Sequence, residues 1–407
     1  MKRTILFLST YPYGRPHHGG EIRLAHIAKV FAAAGWDVRG IAVYDEQGYL
    51  ASSVGADDVP FPARDRWRKF EGRPIPLIDD LLSGIYAESD SGGFPAIARR
   101  LPRNIDVIHV EQPWLWGLAR KIQQQRGHGN VALVYGSQNI EAPLKRQILT
   151  AWGTAGVEDV VRAIDTLERR AAREADLTLA ITRQEMETLS TYGARRRLLA
   201  PNGIEPWEAR EEDLERWRRR LPRGPWILYV ASAHPPNFSG ITQIVGESLG
   251  FLAPNSRLVV VGTVSEHVYR VLNDTRWSAL NASRLQLLFV LPDRDLAAVK
   301  QLTNVFILPI AHGGGSSLKT AEAIYSGSYV IGSSAAFRGY EDLLHLPEIA
   351  VANAPGPFRK AIQDALRRPA PASKASRGEA RESLRWDTCL AQMPEHVEMI
   401  VRERHGA

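Results

Sequence analysis

The sequence predicts an α/β protein built from two doubly wound parallel sheets, and three observations carry that prediction. Strand-like runs alternate with amphipathic helical stretches along nearly the whole chain, the pattern of parallel sheets with helices on both faces. The alternation comes in two series, separated by a polar, proline-punctuated stretch from Glu205 to Pro225 that suits a linker. The run "VFILPI" (Val305–Ile310) is also apolar without alternation, which implies burial on both faces.

The first series holds "TILFLST" (Thr4–Thr10), "DVRGIAVY" (Asp37–Tyr44), "IDVIHVE" (Ile105–Glu111), "VALVYGS" (Val131–Ser137), "DLTLAIT" (Asp176–Thr182) and "RLLAPNG" (Arg197–Gly203). Helical periodicity is clearest from Ile22 to Gly35 and from Val157 to Ala175. The second series holds "WILYVAS" (Trp226–Ser232), "RLVVVGT" (Arg257–Thr263), "LQLLFVLP" (Leu285–Pro292), "NVFILPI" (Asn304–Ile310) and "YVIGSS" (Tyr329–Ser334). The low-complexity piece Arg367–Ser383 marks a second break. The expected domains are therefore 1–204 and 225–385, joined by a linker over 205–224, with a terminal helix over 386–407 returning to the first domain. Two such sheets turn their strand carboxyl ends toward a central cleft, and ligands bind at those ends in open α/β sheets.

Composition narrows the class. In 407 residues there is one cysteine, Cys389, which excludes an intramolecular disulfide framework and fits a reducing, cytoplasmic setting. No window approaches the ~18 apolar residues of a membrane span, and "MKRTILFLSTYPYG" reads as a first strand rather than a signal peptide. The formal charge is +6, with basic clusters at Arg64–Arg73, Arg195–Arg197 and Glu215–Trp226. Such clusters fit an anionic membrane face or a phosphorylated substrate, or are simply solvated. No nucleic-acid-binding motif accompanies them.

Polar and glycine-rich residues gather at the predicted strand ends. After Ile310 come Gly313, Gly314, Gly315, Ser316 and Ser317, then a helix marked by Leu318, Ala321, Ile324 and Tyr325 and closed by Gly327. Amides at such a turn point outward, the helix dipole favours an anion, and bare glycines let a phosphate approach. The same run also suits a flexible loop with capping serines. The other strand ends carry Gly19, Gly20 and Arg23; Glu111 and Gln112; Gln138, Asn139 and Glu141 in "SQNIE"; Asn202 and Gly203 in "PNGIE"; and Asn237 in "ASAHPPNFSGI". His109, inside a strand run, reads as a core histidine.

In this order and spacing, "GGEIRLAHIAKVFAAAGWDV", "SQNIE", "PNGIE", "ASAHPPNFSGI" and "GGGSSLKTAEAIYSGSYVIGS" resemble the retaining, nucleotide-sugar-dependent glycosyltransferases of the two-Rossmann GT-B architecture, close to glycosyltransferase family 4. The resemblance spans essentially the whole chain. It implies that Glu322, eight residues after Gly314, is the second glutamate of the family's Glu-x7-Glu motif and accepts from the nucleotide ribose. Gly314 stands at the first glutamate position, so backbone groups would read the donor sugar. The basic pair usual on the diphosphate is missing from "SAHPPNFSG", which leaves Lys319 as its substitute; a solvent-facing lysine is the alternative. Gln138 stands where relatives often carry histidine.

The resemblance thus gives catalytic roles to Lys319, Glu322 and Gln138. Donor binding falls to Gly313, Gly314, Gly315, Ser316, Ser317, Asn202, Gly203 and Asn237, and the acceptor or phosphate side to Gly19, Gly20, Arg23, Asn139 and Glu141. It implies no metal and no cofactor, the nucleotide sugar being a co-substrate, and a glycan or polyprenyl-linked acceptor in surface polysaccharide or glycoconjugate synthesis. The region Gln47–Leu101 is expected to shape the acceptor side, and Trp67, Phe70, Trp114 and Trp116, with Arg66, Arg68 and Lys69, to allow peripheral membrane contact. Two alternatives share the fold: a catalytically silent sugar-nucleotide- or glycan-binding subunit, and a nucleotide-sugar 2-epimerase using Glu111 and Glu141 for proton removal.

Overall fold

The computed structural model describes residues 2–63, 66–125, 130–233, 235–311, 314–374 and 378–406. Contacts divide the chain into two compact units, Met1–Pro201 with Cys389–Ala407, and Asn202–Thr388. The first unit holds seven strands: β1 (Thr4–Ser9), β2 (Asp37–Asp45), β3 (Val59–Phe61), β4 (Val107–Glu111), β5 (Ala132–Gly136), β6 (Leu177–Ala180) and β7 (Arg197–Leu199). Their order is β3-β2-β1-β4-β5-β6-β7, and every pairing is parallel. β1, β4 and β5 are buried at every position, as strands covered on both faces are. The chain winds one way from β1 to β3 and the other way from β4 onward, so the switch point lies between β1 and β4.

The second unit repeats the plan with β8 (Trp226–Val230), β9 (Arg257–Val261), β10 (Leu285–Phe289), β11 (Val305–Leu308), β12 (Tyr329–Gly332) and β13 (Ile349–Val351). The order β10-β9-β8-β11-β12-β13 is again parallel throughout, with its switch point between β8 and β11. Two apolar clusters cover the two faces of this sheet. One includes Leu228, Val259 and Phe306, the other Ile227, Val260 and Ile307, so consecutive residues of one strand serve opposite layers.

Several expectations change. The stretch 205–224, expected as a linker, belongs to the second unit. It forms helix Glu211–Arg220, whose Leu214 and Trp217 are buried, and Asp213 draws Arg216 and Arg294 into ion pairs. Its polarity is that of one exposed helix face. The break at Arg367–Ser383 also stays inside this unit; residues 375–377 lie outside the described residues. Helix Met393–Gly406 belongs to the first unit, burying Val397, Ile400 and Val401 and pairing Glu398 with Arg3 at 3.0 Å.

The aromatic side chains proposed for membrane contact are core residues. Trp114 is 2% exposed, Trp116 0% and Phe70 8%, and Trp67 packs against the same cluster. Arg68 is held by Asp45 and Asp79 and lies over the Phe61 ring, so it is not a free surface cation. Among the described residues no helix is long and apolar enough to cross a membrane.

Candidate functional site

In the second unit the β8/β11 switch point gathers most of the predicted donor residues. Gly315 has φ +59°, the left-handed region where glycine is unstrained. Helix Leu318–Tyr325 follows, with Ser317 at its N-cap making no side-chain cap, so no hydroxyl competes there for the leading amides. Lys319 reaches across the switch point, its Nζ 2.9 Å from Asn237 Oδ1 on the helix after β8. Asn237 is fixed in turn, its Nδ2 donating to Ser232 O at 2.9 Å and its own carbonyl accepting from Tyr229 Oη at 2.9 Å. Burial pushes the Lys319 ammonium down from its ordinary pKa, with Glu322 opposing the shift. A partly desolvated cation beside open amides is suited to an anion.

Asn202 joins this loop, its Nδ2 donating to Ser316 O at 3.4 Å. Gly203 is the one residue its place admits, since a Cβ there would meet Trp386 N at 2.6 Å. Gly314 is exposed, Ser316 Oγ is buried with no hydrogen-bond partner among the described residues, and Gly313 lies outside the described residues.

Two cations here escape sequence reasoning. Lys300, in helix Asp293–Leu302, is 6% exposed and sits 2.8 Å from Glu322 Oε1, with its Nζ over the Trp207 ring. It fixes the carboxylate of Glu322 from behind. Arg338, after β12, donates to Gly315 O and Gly314 O at 3.3 Å each, while Tyr340 Oη donates to Ser317 O at 3.1 Å. Both draw loop carbonyls to one side, which turns amides to the other. Neither residue belongs to a motif in the sequence. Only the fold brings the strand that follows the glycine helix back over the loop.

In the first unit a cavity of about 880 Å³ opens at the β1/β4 switch point, lined by Tyr11, Glu21, Asp45, Asp80, Gln112 and Gln138 among others. Gly20 is also part of the lining; a Cβ there would come 3.0 Å from Gln138 Oε1 and 3.1 Å from Tyr11 Oη, so glycine permits the close approach of helix and floor. Gly19 opens helix Gly19–Ala33. His17 and His18, which precede it, are held by Glu21, whose Oε2 accepts from the His17 amide at 2.6 Å and whose Oε1 lies 2.9 Å from His18 Nε2.

Beneath the cavity lies a buried polar cluster. Glu111 takes Arg23 Nε at 3.2 Å, Gln138 Nε2 at 2.9 Å and His109 Nε2 at 2.6 Å. Burial pushes the Glu111 carboxyl up, but the His109 hydrogen bond and the Arg23 charge outweigh it and hold it below the ordinary range. His109 is therefore a core histidine serving a carboxylate. Arg23, placed by the sequence on the acceptor or phosphate side, is instead 1% exposed, and its Nη1 donates to Ala200 O at 2.8 Å. Its place in the first turns of the helix faces it into the sheet edge. Gln138 Nε2 also donates to Tyr11 Oη at 2.6 Å, so its amide is anchored at the cavity floor.

Glu141 is likewise turned inward. Its Oε1 accepts from Gln112 Nε2 at 3.0 Å and Asn139 Nδ2 at 3.3 Å, which makes it a support for Gln112 rather than a ligand contact. Gln112 has φ +63°, a strained conformation for a non-glycine residue. Glu168, absent from the sequence reading, accepts the amides of Glu141 and Ala142 at 2.7 and 3.0 Å and so caps helix Glu141–Ala151. Burial raises Glu141 to about 7 and Glu168 to about 8. A carboxyl raised on folding contributes stability that is complete below its ordinary value and is lost as pH rises through the folded one. Thermal midpoints should therefore fall between pH 5 and pH 9, and Glu141→Gln should flatten the part of that fall near pH 7. Parallel curves for the two proteins in a pH series would contradict the placement.

The comparisons agree with this architecture. Residues 18–203 match the family model of the glycosyl transferase 4-like domain. No curated protein matches the sequence. Among solved structures, sucrose-phosphate synthase from Thermosynechococcus elongatus superposes with TM-score 0.70 at 17% identity, covering 98% of this chain and 99% of that one. HepE of Anabaena, in complex with UDP, gives 0.66 at 16% identity, with 98% and 100% covered. WaaG, a glycosyltransferase involved in lipopolysaccharide biosynthesis, gives 0.55 at 14% identity, with 99% and 100% covered. At these identities the likeness is one of fold, the two-Rossmann GT-B fold.

Proposed function

We propose, from the premise that this GT-B chain carries a glycosyl transferase 4-like domain over residues 18–203, that it moves a sugar from a nucleoside-diphosphate sugar to a glycan or lipid-linked acceptor with retention. The observation that carries the donor half is the Lys319–Asn237 contact beside the glycine loop. It puts an ammonium, held at a defined position, where a strand end and a helix amino terminus already favour an anion. A leaving diphosphate develops negative charge, and fixed cations and amides there act on the transition state. Solved relatives of the fold hold UDP and UDP-glucose, which supports a nucleotide sugar as the ligand class.

In this reading Glu322 accepts from the ribose diol and Lys300 sets its position. Gln138 serves as a hydrogen-bonding group in the first-unit cavity. An amide is not basic enough to take up a proton, so the donor phosphate takes the one released by the acceptor. The carboxylates and amides lining that cavity suit the hydroxyls of a sugar. The epimerase alternative is disfavoured, because Glu111 and Glu141 are buried and hydrogen-bonded within the fold.

The ribose assignment has its own test. Glu322→Gln keeps an acceptor for Lys300 but drops the charge. Nucleoside monophosphate affinity should then fall about tenfold, in line with losing one charge-assisted hydrogen bond, while the melting curve stays close to that of the parent. Lys300→Met should shift affinity the same way. Equal calorimetric titrations for parent and Glu322→Gln would remove Glu322 from the site.

A further inference from the structure

We infer that the first unit carries a second anion site, a pocket for a phosphate-bearing ligand on the sheet edge opposite the β1/β4 cavity. The cavity, about 510 Å³, is lined by five arginines and three carboxylates, with Ile400 and Ala175 between them. It lies at the amino ends of β6 and β7: Asp176 immediately precedes β6, and Arg195 and Arg196 lead into β7. The candidate cavity sits at strand carboxyl ends. The two are therefore separate features of one sheet.

The charges do not cancel, and the pairing shows which are left over. Glu174 takes Arg120 at 3.2 Å and Arg170, and accepts from Trp116 Nε1 at 3.1 Å. Asp176 pairs with Arg404 at 2.7 Å and accepts from the Leu133 amide at 2.8 Å. Glu403 pairs with Arg196 at 2.6 Å. Each carboxylate is thus taken. Arg173 and Arg195 line the same pocket and have no ion-pair partner among the described residues. The paired arginines are held in place at modest entropic cost, and the two unpaired guanidinium groups supply forks that match a phosphate. Helix Met393–Gly406 closes the pocket with Ile400, Glu403 and Arg404. The basic run Arg195–Arg197, which the donor chemistry does not use, acquires a role here.

Inorganic pyrophosphate is the probe, titrated calorimetrically at low salt into the full chain, Lys319→Ala and Arg173→Ser/Arg195→Ser. Both arginines are exposed, so the double variant should keep the parent's melting temperature. Lys319→Ala should retain pyrophosphate binding at the arginine pocket. The double change, made in the Lys319→Ala background, should weaken that binding about tenfold or more, and added salt should weaken it further. Unchanged binding in that background overturns the pocket, whatever Lys319 does in the other site. Two further arms identify the source of the phosphate. Retention on vesicles containing phosphatidic acid, lost in the double variant, assigns a lipid headgroup; arginine-dependent binding of free glycerol phosphate without vesicle retention assigns a soluble ester.

Discussion

Lys319→Ala should weaken nucleoside diphosphate binding by ~1–3 kcal/mol, the range for losing a charge-assisted contact, and should slow sugar transfer by about two to three orders of magnitude. The rate should suffer more than the affinity because charge on the diphosphate grows as the glycosidic bond breaks. The parent's ammonium is partly buried, with a depressed pKa and a neutral hydrogen-bond partner in Asn237. An arriving diphosphate therefore replaces an amide oxygen with a full countercharge. Nucleoside binding without phosphate should change little. Calorimetry with nucleoside, monophosphate and diphosphate separates these effects, and a uniform loss across the three would mean that the loop had collapsed. Unchanged diphosphate affinity would take Lys319 out of the site.

Glu111→Ala should destabilise the chain by ~3–5 kcal/mol, the cost of breaking a buried ion pair from one side. Three groups lose their acceptor at once: the Arg23 guanidinium, the His109 imidazole and the Gln138 amide. Because the Glu111 carboxyl is held below its ordinary value, its contribution is present above that value and is lost as pH falls through the folded one. This acid limb runs opposite to the alkaline loss expected from Glu141 and Glu168. Glu111→Gln keeps acceptor geometry and should cost less than the alanine change. Chemical denaturation measures both. A loss below about 1 kcal/mol for Glu111→Ala would contradict the cluster.

The double winding was legible because it rests on burial of whole strands. Val305–Leu308 and Ile5–Leu8 could be read from their sequence, while β3 and β13, three residues each, are too short to show a period. Glu205–Pro225 misled because polarity alone cannot separate a linker from a helix with one buried stripe, here Leu214 and Trp217. In the site, motif residues near the chain turn, Lys319, Asn237 and Asn202, were visible, and the structure brings them together. Arg23 and Glu141 share that visibility, yet side-chain direction turns both inward. Lys300, Arg338 and Glu168 act over long sequence separations, and no local spacing marks them.

The central claim is that the β8/β11 loop binds a nucleoside-diphosphate sugar, and a thermal-shift panel of nucleoside diphosphates and their sugars tests it most directly. A ligand that binds the native state alone stabilises it by ~2.7 kcal/mol at a hundred times its dissociation constant. At least one base should therefore raise the melting temperature by a few degrees, its sugar conjugate should do the same, and Lys319→Ala should reduce both shifts. A panel in which no nucleotide or nucleotide sugar stabilises the parent, or in which Lys319→Ala responds just as the parent does, would contradict the account.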